Sequence, residues 1–153
     1  MPGLTNEFVE TVGKKISGSF LGVYPCDIQP DIENLKYFSL IFNESKHDED
    51  GSHFVAIFST PNKIYYFDSL GLKLENSYIS LFLHTTGREL VIKEKQIQSF
   101  DSIFCGIFCL CFIAYMEKGF NYTNFFEIFT AENLKLNDCV STEFLLKLIK
   151  SVK

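Results

Sequence analysis

The sequence predicts an α+β protein, and three observations lead to that class. Short runs rich in aromatic and β-branched residues fill the first half of the chain, and a four-residue turn joins two of them. Segments with apolar residues at helical spacing lie near both ends. An apolar run of 14 residues, Ile103 to Met116, predicts a buried central helix. We therefore expect a small mixed or antiparallel sheet packed against helices, with strands on one side and helices on the other.

Length and composition fit one compact domain over residues 1–153. The chain is 46% hydrophobic and 16% aromatic, with 17 phenylalanines and no tryptophan. This apolar mass is enough for a sizeable core. We expect that core to be rich in phenylalanine.

The N-terminal segment predicts an amphipathic helix over Leu4–Ile16. Its apolar residues recur at helical spacing, and Thr5 stands where an N-cap is expected. Glycines and prolines then punctuate residues 17–30. This pattern predicts a loop that packs against the body of the protein.

Three strands are predicted next, at Lys36–Asn43, His53–Ser59 and Ile64–Ser69. A charged loop separates the first strand from the second. The second and third flank the four residues 60–63, in which Pro61 has the position favoured in a type I turn. They therefore predict a β-hairpin.

The length of that turn fixes which side chains share a face of the hairpin. A turn over residues 60–63 pairs Ser59 with Ile64, so His53 and Asp68 become diagonal neighbours on one face. An imidazole N–H would then be within hydrogen-bonding reach of a carboxylate. A loop one residue longer or shorter would put the two side chains on opposite faces.

The remaining segments read mainly as helices. Glycines mark two helix ends, and a short strand leads toward the central helix. The predicted elements are a helix over 75–86 closed by Gly87, a strand over 89–94, the central helix from about Phe104 to Lys118, and helices over 125–129 and 142–149.

Cys105 is the candidate nucleophile. It opens the apolar helix, where unpaired backbone N–H groups and the helix dipole stabilise a thiolate. Gly106 would let a substrate approach the backbone, and Gln98 could supply a side-chain N–H to the same point, so these residues predict an oxyanion hole. The alternative is a core helix that happens to contain cysteines, because free cysteine is often buried.

A cysteine nucleophile needs a base, and His53 is the candidate. His47 lies in a charged loop, and His84 lies in a predicted helix with no acid placed to orient it. A lone histidine at a strand start is more often structural or exposed. The joint occurrence of His53, Asp68 and Cys105 favours a catalytic constellation instead.

Charge and cysteine content exclude several function classes. The net charge is −5 and no basic run is present, so nucleic acid is not expected to be an obligatory partner. The longest apolar run is shorter than the roughly 20 residues of a membrane span, and no signal peptide is visible, so we expect a soluble, non-secreted protein.

The five cysteines, an odd number, are expected to be free thiols, and their spacing does not fit a zinc site. No metal or cofactor is predicted.

Three segments together resemble a known family. They read Ser-His-Phe-Val-Ala-Ile-Phe, Tyr-Phe-Asp-Ser-Leu-Gly and Gln-Ser-Phe-Asp-Ser-Ile-Phe-Cys-Gly-Ile-Phe-Cys. In this order, His, acid, Gln and Cys, they resemble the adenovirus-type cysteine proteases (adenain), which share their fold with the SUMO-specific proteases of the Ulp/SENP type. The six residues between Gln98 and Cys105 match the adenovirus branch, and Phe20–Tyr24 resembles an early segment of the viral enzymes. The resemblance covers roughly residues 4–118.

The resemblance implies a papain-like fold with the nucleophile at the N-terminus of the buried central helix, and a role for each matched residue. Cys105 would attack the peptide carbonyl, and His53 would be the general base and then the acid for the leaving amine. Asp68 would hold the imidazole, and Gln98 with the Cys105 backbone N–H would stabilise the oxyanion. Two positions depart from the family. Phe54 replaces the usual tryptophan and would reshape the pocket wall, and Asp68 replaces the glutamate of the adenovirus enzymes.

The resemblance also implies a biological role. The protein would be a monomeric endopeptidase of a virus or virus-like element, cleaving capsid or core precursors after small residues such as glycine. It would act in the virion or in the cytoplasm or nucleus of the infected cell. An activating peptide is compatible with the family, but a disulfide-linked one is not expected, because Gly87–Ile97 contains no cysteine. Activation by DNA is not expected from the acidic balance.

Three alternatives stay open on the sequence alone. One keeps the chemistry but changes the substrate to ubiquitin-like modifiers, such as SUMO or ubiquitin. Another is a catalytically silent interaction protein that retains the fold. The third is a structural domain in which the four candidate residues never meet.

Overall fold

The structure is a computed structural model that describes residues 5–48 and 53–151. One helix precedes four consecutive strands, a second helix and a fifth strand follow, and the rest of the described chain is helical. In chain order they are α1 (Asn6–Ile16), β1 (Phe20–Pro25), β2 (Phe38–Asn43), β3 (Phe54–Ser59), β4 (Lys63–Phe67), α2 (Ser77–Thr85), β5 (Glu89–Ile92), α3 (Cys105–Glu117), α4 (Tyr122–Phe125), a 3₁₀ turn (Phe126–Ile128) and α5 (Leu134–Ser151).

The five strands form one mixed sheet in the order β1-β2-β3-β4-β5. β2, β3 and β4 pair antiparallel, while β1 and β5 add parallel strands at the two edges. The predicted small mixed sheet is confirmed.

The predicted register of the hairpin is also confirmed. Ser59 pairs with Ile64 and Ala56 with Phe67 across β3 and β4. The turn is closed by the Thr60 N–H, which donates to the Lys63 carbonyl at 2.9 Å. This register carries His53, just before β3, and Asp68, just after β4, to the same end of the sheet.

Helix α1 follows the sequence pattern closely. The Thr5 hydroxyl accepts from the Phe8 N–H at 3.1 Å, as expected for an N-cap. Val9 and Val12 are buried against the core. The predicted first residue, Leu4, lies outside the described residues.

The segment predicted as a loop over residues 17–30 contains strand β1, so that prediction is wrong. Gly22, with φ of +142°, sits where the register against β2 shifts, and the carboxylate of Glu10 packs beside it. That carboxylate accepts from the Val23 N–H at 3.0 Å. The glycine therefore marks an irregularity within a strand rather than the end of a strand.

Helices cover both faces of the sheet, contrary to the one-sided arrangement that the sequence predicted. Helix α2 packs on one face through Ile79, Phe82 and Leu83. Helices α1, α3, α4 and α5 pack on the other face. Strands β2 and β3 are buried along their whole length for this reason.

The larger core is rich in phenylalanine, as predicted. The Phe67 ring of β4 stacks on Phe112 of α3 with centroids 4.7 Å apart, and Phe125 meets both rings edge-on. Ten of the thirteen residues of α3 are buried. A helix that is apolar on every side has to lie inside the protein, and this fixes where its first residue emerges.

Two helices begin earlier than predicted. Helix α4 starts at Tyr122 rather than 125, and α5 starts at Leu134 rather than 142. The first turns of α5 bury the polar residues Asn137 and Ser141, which interrupt the apolar spacing that the prediction depended on. Within the described residues, none of the helices has the length and apolar character needed to span a membrane.

Candidate active site

Cys105 is the first residue of α3 and is partly buried. Phe104 occupies the N-cap position, and its side chain makes no capping hydrogen bond. The backbone N–H groups of the first turn are therefore not capped by that side chain. This is the environment that the sequence predicted for the nucleophile.

His53 and Asp68 are in direct contact. His53 Nε2 lies 2.7 Å from Asp68 Oδ1, and the same carboxylate oxygen accepts from the Leu70 N–H at 2.9 Å. The His53 side chain is 14% exposed and that of Asp68 is 5% exposed. The predicted diagonal pair therefore forms, and the carboxylate is held on two sides.

The Cys105 thiol is close enough to the His53 imidazole to interact with it, and this interaction acts to raise the pKa of His53. Because Nε2 faces Asp68, the other ring nitrogen, Nδ1, is left for the thiol. The three side chains thus form a row from carboxylate to imidazole to sulfur. The structure brings Cys105, His53 and Asp68 together from three separate elements.

The surroundings of His53 favour its charged form. Burial acts to lower the pKa of the imidazole, but the hydrogen bonds to Asp68 and Cys105 and the negative charges of both groups outweigh it. The net effect raises the pKa of His53 to about 10. An imidazolium is therefore favoured at neutral pH, as a thiolate–imidazolium pair requires.

Gln98 is buried with 1% exposure, and both ends of its amide are engaged. The Ser69 hydroxyl donates to Oε1, and Nε2 donates to the Ser102 carbonyl at 3.0 Å. The N–H groups of Ile97 and Gln98 also donate to the Ser69 carbonyl, at 2.9 and 3.0 Å. These contacts fix the amide with Nε2 toward the loop that leads to Cys105.

Ser69 had no role in the sequence analysis, yet it connects the acid to the glutamine. It follows Asp68 directly and is completely buried. The turn after it packs tightly, because a Cβ on Gly71 (φ +68°) would lie 2.4 Å from the Gln96 backbone nitrogen. The motif Asp-Ser-Leu-Gly signals this turn, but only the fold shows that the serine hydroxyl reaches Gln98.

Glu44 is a second residue that sequence reasoning missed. Its Oε1 lies 3.9 Å from His53 Nε2, and its backbone N–H donates to the His53 carbonyl at 2.9 Å. Burial raises the pKa of Glu44, the positive charge of His53 opposes this shift, and the charge of Asp68 adds to it. The pairing of β2 with β3 creates this contact. The sequence does not predict that register, because the charged loop between the two strands does not fix it.

Glu44, His53 and Asp68 also offer one ligand atom each within 4.8 Å of one another, among the described residues. This donor set could hold a divalent metal ion. The imidazole nitrogen of His53, Nε2, already contacts Asp68. A metal ion bound there would compete with the hydrogen bond that orients the imidazole.

The two residues predicted to contact substrate have different surroundings. Gly106 is the second residue of α3 and is buried. Phe54 is 7% exposed and lies in the core cluster that includes α3. Its ring therefore packs within the core, and a contact with substrate stays a prediction for both residues.

All five cysteines are free thiols in the structure. Cys109, one turn beyond Cys105, is fully buried, and that burial raises the pKa of its thiol. A buried thiol of this kind is unreactive. Cys139, on α5, is exposed.

The known proteins that this chain resembles are named as proteases. No family model matches the sequence. A protein of Acanthamoeba polyphaga mimivirus named "Putative thiol protease" is 32% identical over 102 residues, which cover 60% of this chain and 34% of the relative. The chain thus spans about a third of the length of that relative.

Solved structures show the same fold. The crystal structure of the ASFV protease aligns with a TM-score of 0.54 at 18% identity, covering 72% of this chain and 44% of that protein. The SUMO protease Ulp1, with its catalytic cysteine oxidised to a sulfinic acid, aligns with a TM-score of 0.52 at 13% identity. The alignment covers 96% of this chain and 79% of that protein. The chain is thus similar in sequence to part of a viral protein named as a thiol protease, and it shares its fold with the ASFV protease and with Ulp1.

Proposed function

We propose that this protein is a thiol endopeptidase that uses Cys105, His53 and Asp68 as a catalytic triad. The observation that carries the proposal is the His53 imidazole, held between the Asp68 carboxylate at 2.7 Å and the Cys105 thiol. A buried imidazole with these two partners has the arrangement that activates a cysteine nucleophile. This arrangement argues against two alternative functions, a catalytically silent interaction protein and a structural domain whose candidate residues never meet.

The chemistry follows from that arrangement. The Cys105 thiolate attacks the peptide carbonyl carbon and forms a C–S bond, and the imidazolium of His53 gives its proton to the leaving amine. His53 then takes a proton from water, which attacks the thioester; the C–S bond breaks, the acid is released and the thiolate–imidazolium pair is restored. Asp68 holds the ring and stabilises its positive charge throughout.

The oxyanion of each tetrahedral intermediate needs donors, and we assign this role to Gln98 and the Cys105 backbone N–H. The amide nitrogen of Gln98 carries two hydrogens, and its bond to the Ser102 carbonyl accounts for one of them. Loss of one such donor slows turnover by about 100- to 1000-fold in other enzymes.

For the substrate, we propose capsid or core precursor polypeptides of a virus or virus-like element, cleaved after a small residue such as glycine. The mimivirus relative and the ASFV protease, both viral, support this assignment, together with the adenovirus-type spacing of Gln98 and Cys105. The site of action would be the virion or the infected cell.

A ubiquitin-like modifier is the second candidate substrate. The alignment with Ulp1 spans 96% of this chain, and the family resemblance implies that an aspartate such as Asp68 is the acid of the SUMO-protease branch. Both candidates place glycine before the scissile bond, so they share the same chemistry and differ in what docks outside the cleft.

Reporter cleavage tests both the activity and the substrate. Purified protein is incubated with fluorogenic peptides that end in Gly-Gly, with peptides carrying an internal glycine, and with a SUMO C-terminal reporter. Cys105→Ala should abolish cleavage, whereas Cys139→Ala, a matched loss of an exposed thiol, should leave it unchanged. Cleavage of peptides but not of the SUMO reporter favours the viral substrate, and equal cleavage by Cys105→Ala would refute the proposed mechanism.

A further inference from the structure

We infer that helix α5 positions the oxyanion hole, with Asp138 and Asn137 as positioning residues that act through the loop between Gln98 and Cys105. This inference rests on the proposed function and deepens it. Asn137 and Asp138 lie beyond position 118, outside the part of the chain that carries the family resemblance.

The loop over residues 99–104 needs an external support. It has no helix or strand of its own, and several of its side chains point into solvent, with Phe100 67% exposed. Both proposed oxyanion donors flank it, Gln98 at one end and the Cys105 N–H at the other. An active site must hold such donors to within about 0.5 Å, and a displacement of about 1 Å can cost 100-fold in rate.

Asn137 fastens the start of the loop to α5. It is completely buried, and its amide nitrogen donates to the Ile97 carbonyl and to the Thr130 carbonyl, both at 2.8 Å. Its amide oxygen accepts from the Thr130 N–H at 2.9 Å. The amide therefore ties the residue immediately before Gln98 to α5 and to the segment that leads into α5.

Asp138 fastens the other half of the loop through Ser102. Its Oδ1 accepts from the Ser102 hydroxyl at 2.8 Å. The same hydroxyl oxygen accepts from the Phe104 N–H at 3.2 Å, directly before Cys105. The Ser102 carbonyl accepts from the amide nitrogen of Gln98 at 3.0 Å.

Ser102 is therefore the junction between α5 and both oxyanion donors. Its backbone carbonyl aims the Gln98 amide, its hydroxyl oxygen holds the backbone next to Cys105, and Asp138 fixes that hydroxyl. A third contact, Lys135 to Asp101 at 3.3 Å, has both side chains more than 60% exposed and contributes little. The buried contacts of Asn137 and the partly buried contact of Asp138 do the positioning.

A merely structural role for α5 makes a different prediction. Loss of a structural contact lowers the unfolding temperature and affects every property of the site alike. Loss of a positioning contact lowers kcat while KM and the reactivity of the Cys105–His53 pair stay unchanged, because Cys105 belongs to α3 and His53 is held by Asp68.

The test compares Asp138→Ala with Asp138→Asn, which keeps an oxygen acceptor for Ser102. Glu143→Ala, an exposed acid on the same helix, is the matched control for loss of charge. The readouts are kcat and KM on a Gly-Gly fluorogenic peptide, and the rate of Cys105 alkylation by iodoacetamide. Circular dichroism and thermal melting check that each variant is folded.

We expect Asp138→Ala to lower kcat by roughly 10- to 100-fold with unchanged KM and unchanged alkylation. Asp138→Asn should recover most of the rate, and Glu143→Ala should behave like the wild type. A second readout is protection of Cys105 from iodoacetamide by a peptide ending in glycinal, whose hemithioacetal oxygen occupies the oxyanion hole. Protection should weaken in Asp138→Ala, and the effect of this substitution should largely vanish when Gln98 is already alanine.

The outcomes separate this inference from the proposed function. An active wild type with full kcat and full glycinal protection in a folded Asp138→Ala variant would overturn the inference alone. Parallel losses of kcat, alkylation and melting temperature would show a structural role and would also overturn it. A wild type that cleaves nothing, and whose Cys105 alkylates equally with and without His53, would overturn the proposed function and this inference with it.

Discussion

Replacing Asp68 by asparagine removes the charge that holds His53 in its imidazolium form, while the side chain keeps its shape. The wild-type pKa of His53 is raised to about 10 although burial opposes the charge. Relative to an ordinary histidine near 6.5, this corresponds to about 5 kcal/mol in favour of the charged ring. Asp68, at 2.7 Å from Nε2, is the first of the groups that raise it.

The pH profile of turnover reports this effect. Because the leaving amine takes its proton from the imidazolium in the proposed mechanism, wild-type kcat should decline only at alkaline pH, as the ring loses its proton. In Asp68→Asn we expect this decline to begin about 1 to 3 pH units lower, the usual effect of one close opposite charge. At pH 7 kcat should also fall, by up to about 10⁴-fold, the loss that the corresponding change causes in Ser-His-Asp triads.

The assay is kcat against pH from 6 to 10 on the Gly-Gly peptide, with buffers overlapped at each change. Asp31→Asn, an exposed acid in the loop before β2, is the control for loss of one negative charge. An alkaline limb at the same pH in Asp68→Asn and the wild type would refute the assignment of Asp68 as the group that charges His53.

Three further predictions follow from individual contacts. Ser69→Ala frees the Gln98 amide to rotate, so kcat should fall about 10-fold or more with unchanged KM, and an equal loss in a Gln98→Ala background would contradict this. Glu44 has a raised pKa in the folded protein, so its contribution to stability is present below pH 4.5 and is lost as the pH rises through the folded pKa. Urea unfolding should therefore show Glu44→Gln to be more stable than the wild type at pH 7 and equal to it near pH 4, and the reverse order would refute the burial of that carboxylate. Phe112→Ala leaves a cavity beneath the stacked Phe67 ring and should lower the free energy of unfolding by about 3 to 5 kcal/mol, whereas a loss below 1 kcal/mol would mean that the core is not packed in this way.

Local sequence rules predicted the parts of the site that depend on short-range geometry. The hairpin register follows from a four-residue turn and a side-chain period of two, so the contact between His53 and Asp68 was predictable. The apolar run after Cys105 has to be buried, so the position of Cys105, the proposed nucleophile, at its start was predictable as well. The family resemblance and the fold class inferred from these segments are confirmed by the comparisons.

Contacts between distant segments were not predictable in the same way. Glu44 reaches His53 because β2 pairs with β3 across a charged loop whose length does not set the register. Asn137 and Asp138 were given no role, and the helix was predicted to begin only after them, because polar residues that bond to a distant loop do not follow an apolar period. Strand β1 was missed for a related reason, since Gly22 is a turn signal in the sequence and an irregularity of the strand in the fold.

The central claim is that Cys105 and His53 form a reactive pair, and one measurement tests it without any knowledge of the substrate. Wild type and His53→Ala are treated with iodoacetamide between pH 5 and 9, and peptide mass mapping follows Cys105, with the exposed Cys139 as an internal reference. We expect Cys105 in the wild type to react rapidly already near pH 6, well ahead of Cys139, and His53→Ala to lose this advantage. Equal rates at Cys105 in the two proteins, rising only near pH 8.5 as for an ordinary thiol, would contradict it.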